Sequence, residues 1–226
     1  MEKLLNQDTN EQQRLPTVIL LCAGRSERFK ALGGKGSKLD AKLGELSVKE
    51  HALECVHTSG LPVVIVEPKD LAHLSEPGMG DSIAHGVAQS IQKGLDNPSL
   101  LPSGWLILPG DMPLIESATL RLVAEQLLAA EQREIKLSQH PMKSARLTLA
   151  PVYQGQRGHP VGFTKAFLKN LLSLKGDSGA KEILQAYPPQ LVNVQDRGCV
   201  FDVDTPALLE EAQAWLNSNP KPQIQP

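Results

Sequence analysis

The sequence predicts an α/β fold, with βα units arranged around a mostly parallel sheet. The first sign is order: short apolar runs alternate with amphipathic ones along the chain. The second is that several apolar runs have no polar face, as expected of strands covered by helices on both sides. The third is that turn-rich segments follow those runs, at the strand ends where open α/β sheets hold their ligands. At 226 residues and 41% hydrophobic content, the chain suits one such domain. That domain is expected over residues 16–216, between a flexible N-terminal extension (1–15) and a polar, proline-rich, flexible tail (217–226).

Strands are expected at Thr17–Leu21, Pro62–Val66, Trp105–Leu108, Leu147–Tyr153, Leu191–Val194 and Val200–Val203. Among the helices, Ser47 with Glu50 forms a capping box and Gly60 follows the last turn. Ser82 is placed to cap a helix that carries Ile83 and Val87 and ends near Gly94. Leu120, Val123, Leu127 and Leu128 stripe the next helix. Thr164 opens another, with Phe167, Leu168, Leu171 and Leu172 on its buried side. Thr205-Pro206 sets a capping residue before a proline at the first helical position.

Composition narrows the function. The formal net charge is −2 with both signs interspersed, so no basic stripe points to nucleic acid and no polybasic run to a membrane surface. No stretch approaches the ~20 apolar residues of a membrane span. The three cysteines, Cys22, Cys55 and Cys199, are odd in number and lack C-x-x-C spacing. They fit neither a disulfide framework nor a zinc site, which agrees with a reducing cytoplasm.

The chemistry sits in short motifs. Leu20–Phe29 (LLCAGRSERF) follows the first strand, with Lys38 beyond it. Small residues at Cys22, Ala23 and Gly24 allow backbone N–H groups to approach an anion, and Arg25 and Lys38 add cationic grip on a polyphosphate. A tight β-to-α turn with surface charges would look the same. The motif is neither G-x-G-x-x-G nor G-x-x-x-x-G-K-[ST], which disfavours a dinucleotide fold and a P-loop. Leu106–Pro113 (LILPGDMP) runs an apolar strand into Asp111, and Phe201–Pro206 (FDVDTP) carries Asp202 and Asp204 on one face. Asp111 and Asp204 would complete a Mg²⁺ clamp; turn capping and helix-end capping are the alternatives. Gly78–Gly86 (GMGDSIAHG) is either an ordinary helix entry or a place where a flat group approaches, with Ser82 as a hydrogen-bonding residue. Gln154–Phe163 (QGQRGHPVGF) is a glycine-punctuated loop: either a plain connection or one that presents Arg157 and His159 to an anionic or heteroaromatic second substrate. Gly176–Lys181 (GDSGAK) is a capped helix start or an anion site.

This ordered set resembles the MobA-like nucleotidyltransferases. Their A-A-G-x-S-x-R-(F/M) turn corresponds to Cys22–Phe29. Their G-M-x-x-S, G-D-M-P, R-G-H-P, G-D-x-G-A and D-x-D-T-P segments all occur here in family order, between Val18 and about Leu216. R-G-H-P-V-G-F with G-D-S-G-A leans toward the cytidylyl branch. The resemblance implies a Rossmann-like three-layer α/β/α sandwich of the nucleotide-diphospho-sugar transferase type. It implies transfer of CMP from CTP to the phosphate of molybdopterin, with Mg²⁺ as cofactor, release of pyrophosphate, and a molybdenum hydroxylase as client. Arg25, Lys38 and Asp111 would be catalytic, and Cys22, Ala23, Gly24, Ser26, Gly80, Ser82 and Gly110 would join Arg25 and Lys38 around the nucleotide. Arg157, Gly158, His159 and Pro160 would face the acceptor, and Asp111 and Asp204 would hold the metal. The segment before Lys38 is longer than the family's, so Lys30 and Lys35 compete for its role, as Asp202 does with Asp204. The Val66–Gly78 stretch is short for the family. Another acceptor, GTP in place of CTP, and a non-catalytic maturation factor are the alternatives.

Overall fold

The computed structural model describes residues 14–137 and 145–219. The expected N-terminal extension up to residue 13 and the tail from residue 220 lie outside the described residues. The chain runs β1 (Thr17–Leu21), α1 (Glu27–Ala31), β2 (Lys42–Leu43), β3 (Leu46–Ser47), α2 (Val48–Ser59) and β4 (Val63–Val66). Then follow α3 (Met79–Asp96), β5 (Gly104–Pro109), α4 (Ser117–Leu137), β6 (Thr148–Tyr153), β7 (Gln156–Arg157) and β8 (Val161–Thr164). The chain closes with α5 (Leu168–Leu172), α6 (Lys181–Ala186), β9 (Gln190–Asn193) and α7 (Pro206–Ser218).

The main sheet has seven strands in the order β4-β1-β5-β8-β6-β7, with β9 also paired to β6. β4, β1 and β5 are parallel, as are β6 and β9. β8 runs antiparallel between β5 and β6. Because side chains alternate along a strand, each strand feeds two cores. Val18, Leu20, Leu106 and Leu108 pack with Ala52 and Val56 of α2, Val123 and Leu127 of α4, and Ala212 of α7. Ile19, Val64, Val66, Trp105 and Ile107 pack on the other face with Ile83 and Val87 of α3 and Leu171 of α5. This is the three-layer sandwich. Gly86 lets α3 lie close on the sheet: a Cβ there would stand 2.4 Å from Ile19 Cγ2. The indole of buried Trp105 donates to Ser90 Oγ at 2.9 Å, so its polar edge is satisfied.

Local signals hold where they are chemical. Ser47 Oγ accepts from the Glu50 N–H, and Glu50 Oε2 accepts from the Ser47 N–H at 2.6 Å. Gly60 takes a left-handed φ of 72° behind α2. Thr205 Oγ1 accepts from the Leu208 N–H, with Pro206 opening α7.

Three expectations are corrected. No strand forms at Val200–Val203: residues 197–200 make a 3₁₀ turn and the chain beyond is extended without a ladder. It meets the loop leaving β5, and its Val203 N–H donates to the Asp111 carbonyl at 2.9 Å. Conversely, Val161–Thr164 is a buried strand, where the glycine-punctuated Gln154–Phe163 segment was expected to be a loop. Gly162 faces Leu106 and Leu127 across the sheet. Ser82 does not cap α3. The helix starts at Met79, Asp81 reaches back to the Gly78 N–H at 2.9 Å, and the Ser82 hydroxyl donates to the Gly78 carbonyl.

Candidate active site

The loops that leave the carboxyl ends of β1 and β5 open onto a cleft of about 660 Å³. The turn after β1 forms one side. Its Ser26 has φ 56°, a left-handed conformation uncommon outside glycine, and its Oγ accepts the Lys38 N–H at 3.1 Å. One hydrogen bond thus closes the long loop and brings Lys38 back to the turn. Gly24 borders the cleft, yet a Cβ there would meet nothing within 4 Å. No protein contact demands glycine at this position, and the space it leaves belongs to the cleft. Arg25 reaches across toward the Pro77 carbonyl at 3.5 Å.

The carboxylates converge on the floor. The Val203 N–H to Asp111 carbonyl bond fixes the backbone between Asp202 and Asp204 beside Asp111. Ligand atoms from Asp111, Asp202 and Asp204 all lie within 4.8 Å of one another. The Lys38 ammonium bridges Asp111 Oδ2, at 2.5 Å, and Asp204 Oδ1. Arg28 of α1 donates to Asp204 Oδ2 at 2.7 Å. Burial opposes the Lys38 charge, but Asp111 and then Asp204 outweigh it and hold its pKa above the ordinary lysine value. Burial, then the Asp111 and Asp204 charges, raise the Asp202 carboxyl. Asp111 Oδ1 is buried and has no hydrogen-bond partner among the described residues. An orphaned carboxylate oxygen inside a trio of hard oxygen donors fits a small divalent cation.

The opposite wall is a glycine joint. The Gly80 N–H donates to the Gly176 carbonyl at 2.7 Å. Asp81 Oδ2 accepts from both Gly78 and Gly176 N–H groups, each at 2.9 Å. A Cβ on Gly78 would stand 2.2 Å from the Gly176 backbone, and one on Gly80 2.8 Å from that of Lys175. The GMGDS and GDSGA segments are therefore each other's packing partners. At the far end, Arg157, Gly158 and His159 line the cleft. The His159 N–H donates to the Cys199 carbonyl at 2.8 Å, which straps this loop to the acid-bearing segment. Burial lowers the His159 pKa, so the imidazole is neutral near pH 7.

Of the residues picked from sequence, Ala23, Gly24, Arg25, Ser26, Lys38, Ser82, Asp111, Arg157, Gly158, His159 and Asp204 border the cleft, and so does Asp202. Lys38 joins the acids, while Lys30 and Lys35 are outside the cleft lining. Cys22, Gly80, Gly110 and Pro160 do not line it. Cys22 and Gly110 pack beneath the turn, where a Gly110 Cβ would lie 2.7 Å from Cys22 Sγ. Burial pushes the Cys22 thiol up to about 12, which makes it inert packing. Gly80 is spent on the joint with Lys175. Pro160 follows a cis peptide and leads into β8. Arg28 and Asp81 escaped the sequence reading of roles. Arg28 sits in a quoted motif, but its partner lies 176 positions away.

A protein-family model described as MobA-like NTP transferase domain matches residues 18–192. Three solved structures share the fold. A nucleotidyl transferase from Methanothermobacter is 17% identical, covers 91% of this chain and 99% of its own, and has a TM-score of 0.64. Rv0371c of Mycobacterium tuberculosis H37Rv, solved in complex with manganese, is 19% identical over 88% of this chain and 98% of its own, with a TM-score of 0.59. Molybdopterin-guanine dinucleotide biosynthesis protein A from Archaeoglobus fulgidus is 15% identical over 89% and 99%, with a TM-score of 0.52. No curated protein sequence is significantly similar to the chain. Among the described residues, no helix is long and apolar enough to cross a membrane.

Proposed function

The chain belongs to the MobA-like NTP transferase family, and we propose that it acts there by transferring CMP from CTP to the phosphate of molybdopterin, releasing pyrophosphate. The observation that carries a nucleotidyl transfer is the meeting of Asp111, Asp202 and Asp204 with Lys38 and the open Gly24 turn in one cleft.

The triphosphate lies along the Ala23–Ser26 turn, where Gly24 leaves room for it and Arg25 and Lys38 neutralise it. Asp111 would hold Mg²⁺ together with Asp204 or Asp202. The free edge of Asp202, which carries no ion pair among the described residues, makes it the equal of Asp204. The bound metal would offset phosphate charge at the centre of transfer and on departing pyrophosphate. Manganese in Rv0371c fits the same hard-oxygen preference. Arg157 steers the acceptor phosphate, and neutral His159 offers it a hydrogen bond. That phosphate is already ionised, so catalysis rests on alignment and charge neutralisation, and no general base is needed. The cytidylyl preference and the pterin acceptor draw support from the Arg157–Phe163 and Gly176–Ala180 segments. A molybdenum hydroxylase receives the product.

The test is pyrophosphate release from each NTP with Mg²⁺, with and without molybdopterin. CTP-dependent release that requires molybdopterin is expected. Release from GTP alone would move the enzyme to the guanylyl branch, and no release from any NTP would refute the proposal.

A further inference from the structure

We infer that Asp196 is a positioning residue for the metal site: it touches no reacting atom, yet it sets the acid-bearing segment in register against the loop that carries Asp111. This rests on the reading of Asp111, Asp202 and Asp204 as cation ligands. The family match ends at residue 192, so Asp196 and the acids at 202 and 204 lie beyond the matched residues.

Two stretches of chain lie side by side at the floor of the cleft, in contact at three points. The Val203 N–H meets the Asp111 carbonyl, Gly198 lies on the Leu114 carbonyl, and Asp196 Oδ2 accepts the Glu116 N–H at 3.0 Å. One stretch rises in number as the other falls, so the two run antiparallel. A Cβ on Gly198 would stand 2.1 Å from the Leu114 oxygen, which makes the middle contact a main-chain one. Asp196 holds the outer end through its side chain and is 3% exposed. A carboxylate that deep is costly unless something offsets its charge. The offset is the start of α4. The Glu116 carbonyl accepts from the Thr119 and Leu120 N–H groups, so the N–H that Asp196 engages sits at the positive end of that helix.

The link onward gives Asp196 more than a capping role. The Cys199 N–H donates to the Asp196 carbonyl at 3.4 Å, and the Phe201 N–H to the Gly198 carbonyl at 3.3 Å. These overlapping turns couple Asp196 to Phe201, one residue before Asp202, so a shift at Asp196 is carried to the acids. The Val203 bond fixes the inner end and Asp196 the outer one. A segment held at both ends presents its carboxylates to Asp111 at one spacing.

The probe is Mn²⁺ alone, titrated into purified protein without nucleotide and followed by the electron paramagnetic resonance signal of the free ion. Asp196→Ala should weaken Mn²⁺ binding about tenfold or more. Asp196→Asn keeps a carbonyl oxygen for the Glu116 N–H and should stay within about threefold of wild type. Gly198→Ala pushes the same joint apart with the carboxylate intact and should match Asp196→Ala; it decides the matter if Asp196→Ala does not fold. Ser90→Ala is the control. It removes the buried partner of Trp105, at the other end of β5 from Asp111, and should lower the thermal midpoint with Mn²⁺ affinity unchanged. Wild-type affinity in folded Asp196→Ala or Gly198→Ala would reduce Asp196 to a helix cap and overturn the inference, leaving the proposed function intact. An equal loss in Ser90→Ala would assign the effect to lost stability and overturn it too. A wild-type protein that binds no Mn²⁺ would reject both the inference and the metal reading beneath it.

Discussion

The two walls of the cleft are built by opposite means. On one, Lys38, Arg28, Asp111, Asp202 and Asp204 crowd side-chain charges together. On the other, Gly78, Gly80 and Gly176 bring main chains into contact, and one carboxylate, Asp81, ties them. Charges that bridge one another can exchange partners when a polyphosphate arrives. Main-chain contacts with no room for a methyl group cannot. The charged wall is suited to chemistry and the glycine wall to holding shape.

Substitution separates the two. Asp111→Ala should cut turnover about a thousandfold or more, with the thermal midpoint close to wild type, as read by pyrophosphate release and calorimetry. Full activity in that variant would move the metal site elsewhere. Lys38→Met should lower kcat/KM by about a hundredfold, because the loss falls on charge neutralisation. If Lys38→Met retained activity and Lys30→Met or Lys35→Met lost it, the pairing with Asp111 would be incidental.

The glycine wall predicts the reverse pattern. Asp81→Asn should destabilise the fold by about 1–3 kcal/mol, since two N–H groups lose a charged acceptor, while kcat changes little. Hydrogen bonds from Gly78 and then Gly176, working against burial, lower the Asp81 pKa in the folded state. Its contribution is therefore complete above the unfolded value near ~3.9 and fades as pH falls through the lower, folded value. Denaturant unfolding from neutral pH into acid should show the wild type converging on Asp81→Asn only in that acid window. The smallest effect is expected at Cys22→Ala: about 1 kcal/mol of stability from lost packing and unchanged kinetics, because the thiol lies under the turn and not in the cleft.

Much of the charged wall was legible because each acid ends an apolar run. Leu106–Leu108 leads to Asp111, and Phe201 and Val203 bracket Asp202. The alternation around Val203 survives as buried against exposed residues, although the expected strand does not form. Alternation records which side faces the core, whereas a ladder also needs a free neighbouring edge. The glycine wall was less legible for a related reason. Ser82 borders the cleft as expected, whereas Gly80 packs against Lys175, where a Cβ would have no room. A distant partner leaves no mark on local spacing, and Asp81 and Gly176 are 95 positions apart. Pro160 and Gly162 concealed β8 in the same way. Pro160 precedes the strand, and Gly162 fits within it because Leu106 and Leu127 already fill its face.

The bond from the Val203 N–H to the Asp111 carbonyl has a consequence for inheritance. It registers the backbones that carry the acids through the main chain, beside the side-chain bridges that Lys38 and Arg28 make to the carboxylates. Side chains around the mouth of the cleft can drift without moving the backbones that carry Asp111, Asp202 and Asp204. A lineage can thus change its clientele while keeping its trade.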